Sequence, residues 1–210
     1  MKRLFPILVL VFSAGVGAVD EDDLQQLLAT NECKKCDLSG ANLYRENLKG
    51  ANLAGANLAG AMLKKVNLER ANLEGTNLIN ANIKKGALTR AILVGADASR
   101  AKIKLATLTK AILTNANLSN ANLVGAHLYK AILNKTNLTG ANLSQSHLAR
   151  ADLSEADLSG ANLRGANLNR ANLTGTTLSG ANLHGANLFR TTFCKTLMPN
   201  GTTNNSGCLQ

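Results

Sequence analysis

Two cysteines separated by two lysines, in the motif Cys33-Lys34-Lys35-Cys36, have a spacing that suits thiol chemistry. The neighbouring lysines would stabilise thiolates, so the pair is a candidate for disulfide exchange. No alternation of strands and helices surrounds the motif, which argues against a thioredoxin-like enzyme. A structural disulfide is the alternative interpretation.

The other two cysteines, Cys194 and Cys208, lie near the end of the chain. Four cysteines allow three pairings, and sequence proximity favours Cys33 with Cys36 and Cys194 with Cys208. The second bridge would close a loop of about 15 residues and contribute about 3 kcal/mol. A zinc site made from all four cysteines is excluded if the chain between them forms an elongated rod.

Other candidates for chemistry are few. His127 and His147 lie 20 residues apart, but two histidines without a third ligand are more typical of polar surface than of a metal site. An acidic cluster at residues 152–157 has no predicted pocket to desolvate a general acid. The glycines recur through the chain rather than preceding a helix, so no phosphate-binding loop is indicated. We expect no enzymatic activity, no metal and no cofactor.

A series of seven cations, which we call the basic ladder, recurs at intervals of 20 residues. Its members are Arg70, Arg90, Lys110, Lys130, Arg150, Arg170 and Arg190. Three isoleucines that we call the apolar strip, Ile92, Ile112 and Ile132, replace the usual asparagine at the same interval. The ladder is a candidate track for a polyanion, and the strip favours a protein contact beside it. The alternative is that the cations only keep this surface soluble.

The elements that position these residues follow from a period of five. From Leu38 to Phe193, each of 32 consecutive fifth residues is apolar, and all are Leu except Ile83, Ala98, Ile103 and Phe193. The residue two positions earlier is Ala in 23 of the 32 units, and Asn is usual between them. A period of five fits neither a helix nor a flat strand, so it predicts a solenoid whose units bury Leu and Ala against their neighbours. Gly at the last position, as in Gly50 and Gly60, allows the turn between units.

The 20-residue interval of the ladder predicts four pentapeptides per coil and therefore a four-sided tube. Thirty-two units then give about eight coils and, at roughly 4.8 Å per coil, a rod about 35–40 Å long. This register places 16 of the 18 cations in residues 37–193 on one half of the circumference. Six of the eight acids in that range lie on the opposite half.

Units such as Ala-Asn-Leu-Ala-Gly, Ala-Asn-Leu-Arg-Gly and Ala-Asp-Leu-Ser-Gly resemble those of the pentapeptide repeat family, over residues 36 to 195. The resemblance implies an all-β fold, a right-handed quadrilateral β-helix. Its best-understood members resemble DNA in shape and acidity and protect type II topoisomerases. That role is disfavoured here because residues 37–193 carry 18 basic and 8 acidic residues.

The two ends of the chain depart from the repeat. Residues 1–18 have a basic start, an apolar run and a small-residue site, and therefore predict an export signal. Residues 19–35 are expected to form an N-terminal cap containing a short helix and the CxxC motif. The solenoid is assigned to residues 36–195 and a disulfide-closed C-terminal cap to residues 196–210.

Composition narrows the function without naming a partner. A hydrophobic content of 45% excludes a disordered chain, and a net charge of +10 favours an anionic partner. The leading hypothesis is an exported, non-enzymatic scaffold that binds acidic polysaccharide, anionic lipid or acidic protein, in a periplasm or a thylakoid lumen. The alternatives are a thiol-redox or envelope-stress component acting through Cys33 and Cys36, and a structural rod that associates end to end. Nucleic acid is disfavoured because aromatic residues are only 3% of the chain. No transmembrane segment is expected once the signal is removed.

Overall fold

A computed structural model describes residues 19–208 of the 210-residue chain. The predicted export signal, residues 1–18, lies outside the described residues. Within residues 19–208, no helix has the length and the apolar content needed to cross a bilayer.

Helix α1, Glu21–Thr30, begins at an acidic cap. The side chain of Asp20 accepts hydrogen bonds from the backbone N–H groups of Asp22 and Asp23, at 3.0 and 3.1 Å. These bonds satisfy donors that have no partner within the helix, and the acids favour its positive end. The helix ends at Asn31, which adopts the left-handed conformation with φ of 60°. Leu27 is buried, so α1 packs against the first coil of the solenoid.

The body of the chain is a β-helical solenoid held by parallel pairing. Every fifth residue from Glu32 to Thr177 pairs with the residue 20 positions later. Around Ile92, for example, Leu73 N donates to Ile92 O at 2.7 Å and Ile92 N donates to Ala71 O at 2.9 Å. The 20-residue register that the ladder predicts is therefore confirmed, and four pentapeptides separate stacked residues.

The core consists of the central Leu and the small residue two positions before it. Along residues 41–178 almost every one of these side chains is fully buried. Some units carry Thr at the small position, and its hydroxyl donates to a carbonyl 23 residues earlier, as from Thr76 to Leu53 O and from Thr136 to Leu113 O. These bonds remove the cost of burying the hydroxyl group.

Asparagine before the central Leu stabilises the turn of its own unit. Asn72 Oδ1, for instance, accepts a hydrogen bond from the N–H of Glu74 at 3.1 Å. Stacked asparagines also bond to one another, as from Asn77 Nδ2 to Asn57 Oδ1 at 3.0 Å. The middle column of each side is therefore a set of polar links between turns and coils.

The last residue of each pentapeptide adopts positive φ, whether or not it is glycine. Gly50 and Gly60 have φ of 69° and 67°, as the sequence indicates, while Arg100 has 58° and Leu105 has 59°. The prediction that glycine makes these turns was incomplete, because regular pairing between coils imposes the same backbone on every corner. A side chain with a Cβ atom costs about 1–2 kcal/mol in this conformation.

The solenoid begins earlier than residue 36. Residues 31–35 already form a unit, since Glu32 pairs with Asn52, Cys33 is buried at the centre and Lys35 has φ of 59°. The predicted start was late because Cys33 takes the place of Leu.

The far end closes with a short hairpin. Strands β1, Thr196–Leu197, and β2, Thr203–Asn204, pair in antiparallel fashion. Leu197 also pairs with Thr177, so the coil register continues into β1, two residues past the predicted end of the solenoid at residue 195. The structure contains the two disulfides that sequence proximity favours, Cys33–Cys36 and Cys194–Cys208.

Candidate binding surface

The basic ladder occupies one edge of the solenoid. Each member is the last residue of a unit, and the pairing register stacks the members at about 4.8 Å from coil to coil. All seven side chains are exposed. Like charges at this spacing lie well inside the Debye length of roughly 8 Å at physiological salt, so they repel one another.

No carboxylate neutralises the ladder within residues 19–208. The ion pairs found there join Lys49 to Glu69 at 3.3 Å and Lys135 to Glu155 at 3.7 Å, and neither includes a ladder residue. Two ladder cations instead lie over the aromatic ring of the preceding residue. Lys130 Nζ is 5.5 Å from the ring centroid of Tyr129, and the Arg190 guanidinium is 5.1 Å from that of Phe189. The edge therefore presents uncompensated positive charge.

The ladder residues also hold a strained backbone. Their φ angles lie between 55° and 59°. Corner positions outside the ladder repeatedly use glycine, for example Gly95, Gly140 and Gly165, whereas in the register of the ladder from residue 50 to residue 190 the only glycine is Gly50. Seven consecutive cations are thus kept where glycine would relieve both strain and repulsion. Sequence reasoning found the ladder but not this strain.

The apolar strip lies directly beside the ladder. Ile92 pairs with Ile112 and Ile112 with Ile132, and each isoleucine follows a ladder cation by two residues. Ile92 and Ile132 are exposed by 37% and 39%, while Ile112 between them is half-buried. The strip therefore exposes aliphatic carbon mainly at its two outer members.

The strip removes the turn bonds that asparagine supplies elsewhere. Within the described part of the chain, the N–H groups of the half-buried residues Val94, Thr114 and Asn134 donate to no protein group. Each would face the side chain of an asparagine two residues earlier if the usual residue were present. The sequence alone does not predict the loss of these hydrogen bonds, because it does not show that the asparagine side chain accepts a bond from the turn.

The aspartates of the opposite half serve the turns. Asp157 Oδ1 accepts hydrogen bonds from Ser159 N at 2.9 Å and from Ser159 Oγ at 2.6 Å. Burial raises the pKa of Asp157, but hydrogen bonds from Ser159 and Thr139 outweigh it and hold the pKa below its ordinary value. Hydrogen bonds from the side chain and backbone of Ser39 likewise lower the pKa of Asp37. These carboxylates act as asparagine equivalents and are not arranged as an acid–base pair.

The two histidines do stack. His127 and His147 pair in neighbouring coils, and their exposed rings lie 4.6 Å apart with an angle of 14° between planes. Among residues 19–208, the side chains that come together as three potential metal ligands are Asp23, Cys33 and Cys36. Both cysteines are in a disulfide, so neither supplies a thiolate there.

The Cys33–Cys36 bridge is poorly placed for exchange with another protein. The exposed fractions of Cys33 and Cys36 are 0% and 5%, and Cys33 Sγ lies 3.1 Å from Asp23 O of α1. An attacking thiolate would have to displace the helix, because thiol exchange requires access to a sulfur atom. The Cys194–Cys208 bridge is half-buried at the other end.

A cleft of about 480 Å³ lies at the C-terminal hairpin. It is lined by Met198, Pro199, Asn200, Thr202, Thr203, Asn204 and Asn205. None of these side chains is an acid, a histidine or a cysteine, so the lining places no general acid or base of the usual kinds beside the hydroxyls of Thr202 and Thr203.

Comparison with known proteins agrees with this architecture. The family model described as pentapeptide repeats matches eight copies, over residues 32–70, 63–95, 70–109, 111–149, 131–170 and 156–193. No curated protein has significant similarity to the chain. Among solved structures, HetL, a pentapeptide repeat protein involved in heterocyst differentiation regulation from the cyanobacterium Nostoc sp. strain PCC 7120, is 28% identical. The match covers 89% of this chain and 100% of HetL, with a TM-score of 0.52.

Two further structures are similar over part of their length. QnrB1, a plasmid-mediated fluoroquinolone resistance protein, is 25% identical over 74% of this chain and 79% of its own, with a TM-score of 0.37. A pentapeptide repeat protein from the thylakoid lumen of Arabidopsis thaliana is 29% identical over 58% of this chain and 61% of its own, with a TM-score of 0.20.

Proposed function

Since the chain belongs to the pentapeptide repeat family, we propose that it is a non-enzymatic, exported binding rod whose basic ladder holds an anionic partner. The family implies a right-handed quadrilateral β-helix, and the 20-residue pairing register agrees with four sides. Thirty-two units at four per coil then give about eight coils. HetL is described as involved in heterocyst differentiation regulation, and its similarity supports a regulatory role. The signal-like residues 1–18 support export to a periplasm or a thylakoid lumen.

The observation that carries the proposal is the free-energy cost of placing the ladder cations at these positions. Seven exposed cations share one edge, repel one another, lack ion-pair partners in residues 19–208 and adopt a backbone that favours glycine. Lysine or arginine on an unstrained surface position would give the same solubility without this cost. Other non-glycine corners, Arg100 and Lys135 among them, have the same positive φ, so the ladder is set apart by keeping a cation at this corner through seven successive coils.

Charge reversal at matched positions tests the proposal. Lys110→Glu with Lys130→Glu changes the ladder, and Arg100→Glu with Lys135→Glu makes the same change in net charge on the other half. All four residues are exposed corners with φ between 55° and 58°, so backbone effects are matched. Binding of the oxidised protein to poly-L-glutamate and to a carboxylated polysaccharide is measured by fluorescence anisotropy, at about 50 and about 300 mM salt.

The ladder pair is expected to lose roughly 10- to 100-fold in affinity at low salt, because two attractions become two repulsions worth about 1–3 kcal/mol together. The control pair is expected to lose less than about 3-fold, and high salt should reduce the difference. Equal losses in the two variants would show that only net charge matters and would contradict the proposal. Sedimentation of the wild type alone tests the structural rod, which predicts end-to-end association without a partner.

A further inference from the structure

The apolar strip and the ladder together form a surface with two parallel columns of different chemistry. Ile92, Ile112 and Ile132 follow Arg90, Lys110 and Lys130 by two residues in three successive coils. Above and below these coils, the isoleucine column becomes polar, with Asn72 paired to Ile92 and Asp152 paired to Ile132. The apolar part is therefore short and central, and the longer cationic ladder runs along one side of it.

This surface is kept at the expense of the fold. In each of the three units, isoleucine replaces the asparagine that would accept a bond from Val94, Thr114 or Asn134 N–H. It also exposes aliphatic carbon where the other columns carry polar side chains. The repeat supplies asparagine at this point in most other units, so three successive exceptions beside the ladder point to a contact made there.

The combination of the two columns distinguishes between classes of partner. A carboxylated polysaccharide would gain from the cations but not from isoleucine. A lipid surface would lie against the whole length of the edge, whereas the apolar residues occupy only three coils. A small apolar centre with polar and charged neighbours is the usual anatomy of a protein interface.

We infer that the strip and ladder bind an acidic amphipathic helix of a partner protein, with the apolar face of the helix on the isoleucines and its carboxylates on the ladder. Three stacked isoleucines span about 10 Å, which is close to two helical turns of 5.4 Å. A helical turn is therefore about 0.6 Å longer than the spacing between coils, and flexible lysine and arginine side chains can accommodate this difference. Alternate residues of an extended strand lie about 6.6–6.8 Å apart, so a strand would drift about 2 Å per coil. This inference rests on the proposed function of the ladder.

The test uses a variant that should fold at least as well as the wild type. The triple change Ile92→Asn, Ile112→Asn and Ile132→Asn restores the usual residue and its turn bonds. Its matched control, Met62→Asn, makes the same kind of change at an exposed apolar residue in the equivalent column of another side. Circular dichroism melting confirms folding of each oxidised, full-length variant.

Three probes are compared by anisotropy or co-sedimentation. They are a 15-residue helical peptide with leucine at helical spacing and glutamate on its flanks, a carboxylated polysaccharide, and vesicles containing anionic phospholipid. We expect the triple variant to lose at least about 10-fold in affinity for the peptide, with polysaccharide binding unchanged and Met62→Asn without effect. A peptide of the same composition in scrambled order should bind more weakly than the helical one.

Each outcome separates the inference from the proposed function. Equal peptide affinity for wild type and triple variant would overturn the helix inference. Vesicle binding that depends on the isoleucines more than peptide binding does would also overturn it, in favour of a membrane contact. If ladder reversal leaves all three probes unaffected, the proposed function itself fails. If ladder reversal weakens binding and the isoleucine changes do not, only the helix inference fails.

Discussion

Ser146 provides a stability test that follows directly from the packing of the core. It is buried at the small position of its unit, and its hydroxyl has no hydrogen-bond partner among residues 19–208. Thr136 occupies the equivalent position of an earlier unit, and its Oγ1 donates to Leu113 O at 2.8 Å. Deleting the hydroxyl should therefore have opposite effects at the two positions.

The magnitudes follow from the hydrogen bonds. A buried, unsatisfied hydroxyl costs about 1–3 kcal/mol, so Ser146→Ala should raise the free energy of unfolding by that amount. The stacked neighbours, Ala126 and Ala166, are already alanine, and the change leaves no unusual cavity. Thr136→Ala removes a bond that is formed and should lower the free energy of unfolding by about 0.5–1.5 kcal/mol, with a further loss for the buried methyl group.

Urea and thermal unfolding of the oxidised protein, followed by circular dichroism, measure both changes. For a chain of this size each kcal/mol shifts Tm by about 2–4 °C, so the two variants should lie on opposite sides of the wild type. A Ser146→Ala variant that melts at or below the wild-type temperature would show that the buried hydroxyl group carries no such cost. Ser146→Thr is a further check, since a threonine hydroxyl there should bond to Leu123 O and also raise stability.

Two other changes test the turn carboxylates and the C-terminal closure. Since the folded pKa of Asp157 is below its ordinary value of 3.8, its ionised form contributes stability above that pH, and the contribution is lost as the pH falls further. Asp157→Asn should therefore flatten the dependence of Tm on pH between about pH 4 and pH 2, and an unchanged slope would argue against this role. Cys194→Ser with Cys208→Ser opens a loop with a sequence separation of 14 and should cost about 3 kcal/mol. A urea midpoint equal to that of the wild type would contradict it.

The repeat made the body of the fold predictable. The pentapeptide pattern predicts which side chains point inward, and the 20-residue interval of the ladder predicts how the units stack. The same two predictions then apply to every coil. The sequence therefore indicated Leu73 as core, Arg90 as edge and Ile92 as the neighbouring column, and the structure places them so. The proposed partner was not predictable in the same way, because the repeat specifies how the chain packs against itself and not which second molecule its surface binds.

The ends and the backbone were less predictable. The first unit is hard to recognise because Cys33 belongs to a motif that is typical of redox chemistry. In the structure, this cysteine takes the place of the buried Leu. The positive φ of Arg90 and Lys110 depends on pairing with coils 20 residues away, which local turn preferences do not express. The cost of the ladder, on which the proposed function depends, became visible only with that backbone.

The covalent loops at the two ends change where the rod is weakest. In a one-dimensional array the terminal units have a neighbour on one side only, so fraying normally starts there. Here Cys33–Cys36 lies at one tip and Cys194–Cys208 at the other. The Cys194–Cys208 bridge fastens the C-terminal tail, whereas the Cys33–Cys36 bridge has a sequence separation of only 3 and joins no two coils. The coil around Ala98 is a further weak point, because a methyl group replaces the leucine found at Leu78 and Leu118. We expect reduction to loosen the C-terminal tip first, and the oxidised rod to open at its middle or its N-terminal tip.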